Sequence, residues 1–315
     1  MQRTLFSNGK IFTPQPVDFV EGQGFRWVDI QDPDEEELQA LEKGFGFHPL
    51  AVEDCRHLDQ RSKVEEYGTH TFVVLHVYAT TGKDPTNLRL HELHMFVAPQ
   101  LLVTVHAEPM TAVELVWDRA VKGDSAGARE PGALLHRIAD AMVDEMYPAV
   151  DALTDLADEI TEEILHRAAP GQLKRLADIK RAVSLLRRLT PPAREVLNVL
   201  AHERIPGIDA RDAVYFRDVL DHLSVLQQRI DTCREFVGDA RDLYLAAQGA
   251  RTNEVMKRLT VMATLGLPLT FLSGFFGMNF TAIPFHDPRL LYAAGAAMIG
   301  VPLGMLAFFK WRNWV

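Results

Sequence analysis

The apolar positions of this chain follow one spacing rule after another. Between Arg26 and about Ala107, short runs rich in Val, Phe, Leu and Thr alternate with polar, turn-forming stretches. Arg26-Trp-Val-Asp-Ile30 predicts a strand, as do Thr71 to Tyr78, Leu90 to Ala98 and Leu101 to His106, with turns at Gly82, Pro85 and Pro99-Gln100. Asp32-Pro33 followed by Asp34-Glu-Glu-Glu37 predicts a capped helix start whose first turn is acidic. Strands and helices mixed in one segment predict an α/β domain, a mixed sheet flanked by helices, over residues 1–125.

From Leu134 to His166 the period becomes helical: Leu134, Ile138, Met142, Met146, Val150, Leu153, Leu156, Ile160 and Ile164 recur at three and four. The opposite face is acidic from Asp144 to Glu163. Pro170-Gly171 predicts the end of this helix, and Leu173 to Leu189 a basic return helix; Thr190-Pro-Pro192 predicts a break before it resumes from Arg194 to His202. Residues 126–207 thus read as an antiparallel helical hairpin of complementary charge. After Pro206-Gly207 no proline occurs until Pro268, while Phe216, Leu220, Leu223, Leu226, Ile230, Cys233, Val237, Ala240, Tyr244 and Ala247 keep a three/four alternation. This predicts a stalk helix over 208–255 that continues into the next segment. Some 60 helical residues would span about 90 Å, and such an apolar seam needs partners, so oligomerisation is expected.

Two apolar runs close the chain, Leu259 to Phe276 and Leu290 to Phe309, each near the ~20 residues that a membrane-crossing helix requires. They predict a first span over 256–280, an outer loop over 281–289, a second span over 290–309 and a tail over 310–315. Lys257 and Arg258 precede the first span and Lys310 and Arg312 follow the second, whereas the loop has only Arg289 at its end. The asymmetry predicts that both termini face the cytoplasm and the loop faces out; the first residues lack the apolar core of a signal peptide. Trp311 and Trp314 suit the membrane interface.

Charge narrows the function classes. With 33 Lys+Arg against 43 Asp+Glu, the net charge is -10, which argues against nucleic acid as a partner and is compatible with cations. Two cysteines supply neither a disulfide framework nor a zinc spacing. There is no phosphate-binding loop, and no nucleophile–base arrangement rises above chance, so an enzyme is not expected. In His91-Glu-Leu-His94 the two histidines stand three apart on a strand and should face opposite ways, unlike a zinc-protease motif.

At about 100° per residue, Asp242, Asn253, Met256, Thr260, Ala263, Leu267, Thr270, Gly274 and Gly277 fall within roughly 120° of helix surface. The face offers one carboxylate, an amide, hydroxyls and small residues, with no charge inside the span. Mg²⁺ dehydrates reluctantly, so oxygen-lined walls that accept from its waters suit it, and rings of Met256 and Leu259 could close such a path by dewetting. The same arc is equally a packing face for a neighbouring helix.

Asn253-Glu-Val-Met-Lys-Arg-Leu-Thr-Val-Met-Ala-Thr264, Pro268-Leu-Thr-Phe271 and Gly277-Met-Asn-Phe280 resemble the pore helix of the CorA-type magnesium transporters. The resemblance extends upstream through His48-Pro-Leu-Ala-Val-Glu-Asp54 and Gln60-Arg-Ser-Lys-Val-Glu65. It implies a homopentamer in the lipid bilayer that admits hydrated divalent cations, Mg²⁺ with Co²⁺ or Ni²⁺. No cofactor is implied; Mg²⁺ is both substrate and regulatory ligand. Gly277, Met278 and Asn279 would form the outer mouth. Asn253, Met256, Leu259, Leu267, Thr270 and Gly274 would line the pore, with Asp242 a carboxylate ring at its inner end. Cytoplasmic Mg²⁺ would be sensed between subunits by Asp54 and Asp218, with Glu53 as helper. Asp218 lies roughly 160° from the pore-facing arc, so it cannot share the pore. The loop Phe280-Thr-Ala-Ile-Pro-Phe-His-Asp-Pro288 departs from the family by lacking a glutamate after Pro284, and His286 and Asp287 offer a different entrance. The alternative implied by the same resemblance is a zinc transporter of the ZntB type, perhaps proton-coupled, against which Met278 speaks.

Overall fold

The computed structural model describes residues 2–7, 12–15, 24–57, 60–122, 130–203, 205–209, 211–278, 288–312 and 314. They form two units, Met1–Arg241 and Asp242–Val315.

A seven-stranded sheet organises the first unit, in the order β2-β1-β3-β7-β6-β5-β4. Its strands are β1 (Gln2–Ser7), β2 (Phe12–Gln15), β3 (Phe25–Gln31), β4 (Lys63–Glu66), β5 (Thr71–Thr80), β6 (Leu88–Ala98) and β7 (Leu101–His106). Every neighbouring pair is antiparallel except β3 and β7. The four strands predicted from the sequence, β3, β5, β6 and β7, are adjacent strands in the interior of the sheet.

One sheet face is covered by α1 (Glu35–Lys43) and α2 (Pro49–Asp54), whose Leu38, Leu41, Ala51 and Val52 pack with Ile30, Phe72, Val74, Phe96 and Val105. Asp34 caps α1 as its sequence predicts: its carboxylate accepts from Glu37 N at 2.7 Å, and the Glu37 carboxylate accepts from Asp34 N at 3.2 Å. The other face carries α3 (Thr111–Val121), α4 (Pro131–His166) and α5 (Pro170–His202), with Trp117 edge-on to Trp27 at 4.9 Å.

The prolines of the hairpin act differently from expectation. Thr190-Pro-Pro192 does not interrupt α5, which is one helix from Pro170 to His202. A proline at 191 deprives the Arg187 carbonyl of its helical donor, but the Thr190 hydroxyl donates to that oxygen at 3.1 Å. Buried Thr190, Ala193, Val196 and Leu197 then hold the turn in place. Pro170 opens α5 as a first-turn proline, while α4 has already stopped at His166. The charge complementarity is also divided: Arg175 pairs with Glu159 at 3.1 Å and Glu163 at 2.7 Å, whereas Asp140 and Asp151 turn toward the next helix.

That helix is α6 (Ala213–Gly277), 65 residues long, beginning four residues after Asp209. In the first unit its buried residues are Phe216, Val219, Leu223, Leu226, Ile230, Cys233, Val237 and Ala240. The three/four alternation is unbroken once Val219 replaces Leu220, which is half-buried. Two glycines make close approaches possible near its start. Gly207 has φ +86° with the Ala98 backbone against it, and a Cβ on Gly132 would meet Asp212 Oδ2 at 2.3 Å.

In the second unit, α6 and α7 (Pro288–Trp311) each contain a stretch long and apolar enough to cross a membrane. Val261 on α6 and Phe309 on α7 are the buried residues among those described from 256 onward.

Candidate functional site

Residues nominated for an ion path lie on one exposed side of α6. Asn253, Met256, Leu259, Thr260, Ala263, Leu267, Thr270 and Gly274 are all exposed, with Met256, Leu259 and Leu267 between 62% and 69%. By helical phase, buried Val261 lies roughly 140° from the centre of this arc, so the nominated face is the one turned away from packing within the unit. The hydroxyls are already held by their own helix: Thr260 donates to Met256 O at 2.9 Å and Thr270 to Gly266 O at 3.1 Å. Each oxygen keeps lone pairs free to accept from a water. Gly277 is the last residue of α6, and Met278, 63% exposed, donates its N–H to Phe275 O at 3.3 Å. Asn279 and residues 280–287, including Pro284, His286 and Asp287, lie outside the described residues. Asp242 is exposed where the second unit begins.

The nominated sensing carboxylates sit in two places. Asp54 ends α2, and exposed Glu53 precedes it. Asp54 Oδ2 accepts from Lys63 Nζ at 2.7 Å, and the same ammonium reaches Glu65 Oε1 at 2.9 Å. Asp218 is exposed on α6, one turn before His222. It stands beside a group that the sequence reading missed.

That group is Asp140 and Asp144 on α4 with His222 on α6, whose ligand atoms lie within 4.8 Å of one another. His222 Nδ1 is 3.1 Å from Asp140 Oδ1, and the Tyr147 hydroxyl donates to the His222 carbonyl at 2.8 Å. Burial works against the His222 imidazolium, but Asp140 outweighs it and raises the pKa. Burial, with Asp140 adding repulsion, raises that of Asp144. Two carboxylates and an imidazole make a donor set suited to Co²⁺, Ni²⁺ or Zn²⁺ as well as to a hard cation. The signal was present as two i, i+4 pairs, Asp140/Asp144 and Asp218/His222, on helices that only the fold brings together. Beside them a groove of roughly 760 Å³ is lined by Thr80, Leu115, Arg119, His136 and Glu145.

A separate buried network spans the sheet. Glu92 Oε1 is bound to His94 Nε2 at 2.6 Å and Glu92 Oε2 to His76 Nε2 at 3.3 Å, while His76 Nδ1 meets Ser62 Oγ at 2.9 Å. Burial opposes the carboxylate's charge, yet the two imidazoles outweigh it and hold Glu92 at about 2. His91 faces the other way, toward Glu108 at 3.8 Å, as the alternation of a strand requires.

Comparison with known proteins identifies the family of the chain as a whole. The Cobalt/magnesium transport protein CorA of Thermotoga maritima is 32% identical over 281 residues, covering 88% of this chain and 80% of the relative. The zinc transport protein ZntB of Photorhabdus laumondii is 23% identical over 297 residues, 94% of this chain and 85% of the relative. The complete structure of the CorA magnesium transporter from Methanocaldococcus jannaschii superposes with a TM-score of 0.88 at 20% identity, over 100% of this chain and 99% of that one. A model described as CorA-like Mg2+ transporter protein matches residues 22–311. With that match over most of its length, the chain belongs to the CorA-like Mg²⁺ transporter family.

Proposed function

We propose that the protein is a homopentameric channel that passes hydrated Mg²⁺, and Co²⁺ or Ni²⁺, inward across the inner membrane, with both termini in the cytoplasm. The observation that carries this is the face of α6 in the second unit: exposed amide, hydroxyl, methionine and glycine positions, uncharged from Asn253 to Gly277 at every position of the arc, in a member of this family. Five copies of such a face would surround a path whose oxygens accept from the ion's own waters, which fits a cation that releases them slowly. Met256 and Leu259 narrow the path at its inner half, and Asn279 meets the ion at its mouth. An inside-negative potential supplies the driving force, about 4.6 kcal/mol per 100 mV for a dication at 2.3 per charge, so no chemical step is required.

Regulation belongs to the first unit. Asp54 with Glu53 on one subunit and Asp218 on its neighbour would hold cytoplasmic Mg²⁺ between them; the bound ion neutralises facing carboxylates and favours the closed state. Helix α6, which carries both Asp218 and the pore face, is the element through which this coupling would pass.

Asn279→Ala tests the pore reading. In a magnesium-auxotrophic strain the variant assembles but does not support growth without added Mg²⁺; normal growth would contradict the assignment. Zinc transport is the second reading, favoured by the similarity to ZntB. Met278 in the Gly-Met-Asn triplet weighs against it.

A further inference from the structure

We propose that Lys63 is a tethered counter-cation that sets how much Mg²⁺ is needed to fill the Asp54 site, an inference that rests on Asp54 being a sensing carboxylate. Strand β4 fixes the backbone of Lys63 opposite Val74, and its ammonium is shared between Asp54 Oδ2 at 2.7 Å and Glu65 Oε1 at 2.9 Å. It lies 5.8 Å from the centre of the Phe72 ring. Glu65 is held from its far side by the Tyr67 hydroxyl at 2.7 Å, and His48, the N-cap of α2, stacks on Tyr67 at 4.3 Å. The ammonium therefore has a built seat, not a chance surface partner. A lysine ammonium seated between two carboxylates is charged at neutral pH.

The consequence follows from electrostatics. Asp54 stands at the C-terminal end of α2, with Glu53 beside it, so two carboxylates adjoin in the chain. A dication arriving there meets a carboxylate whose charge is half offset, and it must share that carboxylate or push the ammonium aside. Lysine suits the role: a compact charge on a flexible stem swings away, whereas a guanidinium would grip the carboxylate through two nitrogens. The side chains of Lys63 and Asp54 are 26% and 19% exposed, so their interaction is less screened than that of a surface pair.

The test is the Mg²⁺ concentration, applied to the face bearing the soluble unit, that half-inhibits the current of the full-length protein in planar bilayers. Lys63→Gln lowers that concentration roughly fivefold, the order expected from removing one nearby screened charge. Lys63→Met, which keeps the aliphatic stem against Phe72, lowers it by the same factor. Lys63→Arg leaves it unchanged or raises it. Should Lys63→Gln and Lys63→Met leave the concentration unchanged or raise it, or should Lys63→Arg lower it equally, the counter-cation role is overturned. Asp54→Asn separates the two levels. If it raises the half-inhibiting concentration while Lys63→Gln does nothing, the inference alone fails; if it has no effect, the Asp54 reading fails and the inference with it.

Discussion

Glu92 illustrates how little of a residue's role its sequence neighbourhood reveals. Read along the chain, His91-Glu-Leu-His94 is a short polar interruption in a strand. In the sheet, Glu92 bridges His94 on its own strand and His76 on β5, and its pKa is held at about 2. A carboxyl whose pKa is lower in the folded state contributes stability above its unfolded value, near 4.5, and loses it as pH falls through about 2. The contribution is of order a few kcal/mol. Glu92→Gln should therefore lower the thermal midpoint at neutral pH and flatten its fall between those two values; an unchanged pH profile would show that the bridge is not ionised. Lys63 makes the same point. Gln60-Arg-Ser-Lys-Val-Glu65 was legible as a motif, but its contact with Asp54 was not, because it joins α2 to a four-residue edge strand.

At the level of elements, legibility followed burial. Strands β3, β5, β6 and β7 form the centre of the sheet, are packed on both faces, and read as near-continuous apolar runs. The edge strands β2 and β4, and β1 next to β2, carry too few apolar residues to announce themselves. Thr190-Pro-Pro192 misled because the pattern counts a lost donor and cannot see the threonine hydroxyl that replaces it. The seam of α6 was read with Leu220 in the place that Val219 takes, and the difference has a measurable consequence. Ile230, fully buried, should cost about 2–4 kcal/mol when replaced by alanine, whereas half-buried Leu220 should cost about 1 or less. Denaturant unfolding of the two variants checks this, and equal losses would put Leu220 back in the seam.

For the whole molecule, the two C-terminal apolar helices and the family were readable because hydrophobic length and the Gly277-Met-Asn279 context are local signals. The arrangement of copies around an axis is not a local signal, and it is there that ion selection is proposed to arise. If the mouth admits Mg²⁺ with its waters, hexaamminecobalt, a trication of similar size and octahedral shape to the hydrated ion that cannot shed its ligands, should block influx from outside. Lack of block would mean that the ion is stripped before it enters. Choice of metal and source of energy are decided together by one measurement, ion influx into liposomes bearing the purified protein under an inside-negative potential, with Mg²⁺ or Zn²⁺ outside and with or without a pH gradient. Saturable Mg²⁺ entry that exceeds Zn²⁺ entry and ignores the pH gradient is the predicted result; Zn²⁺ entry that requires the proton gradient, with little Mg²⁺ entry, would contradict it.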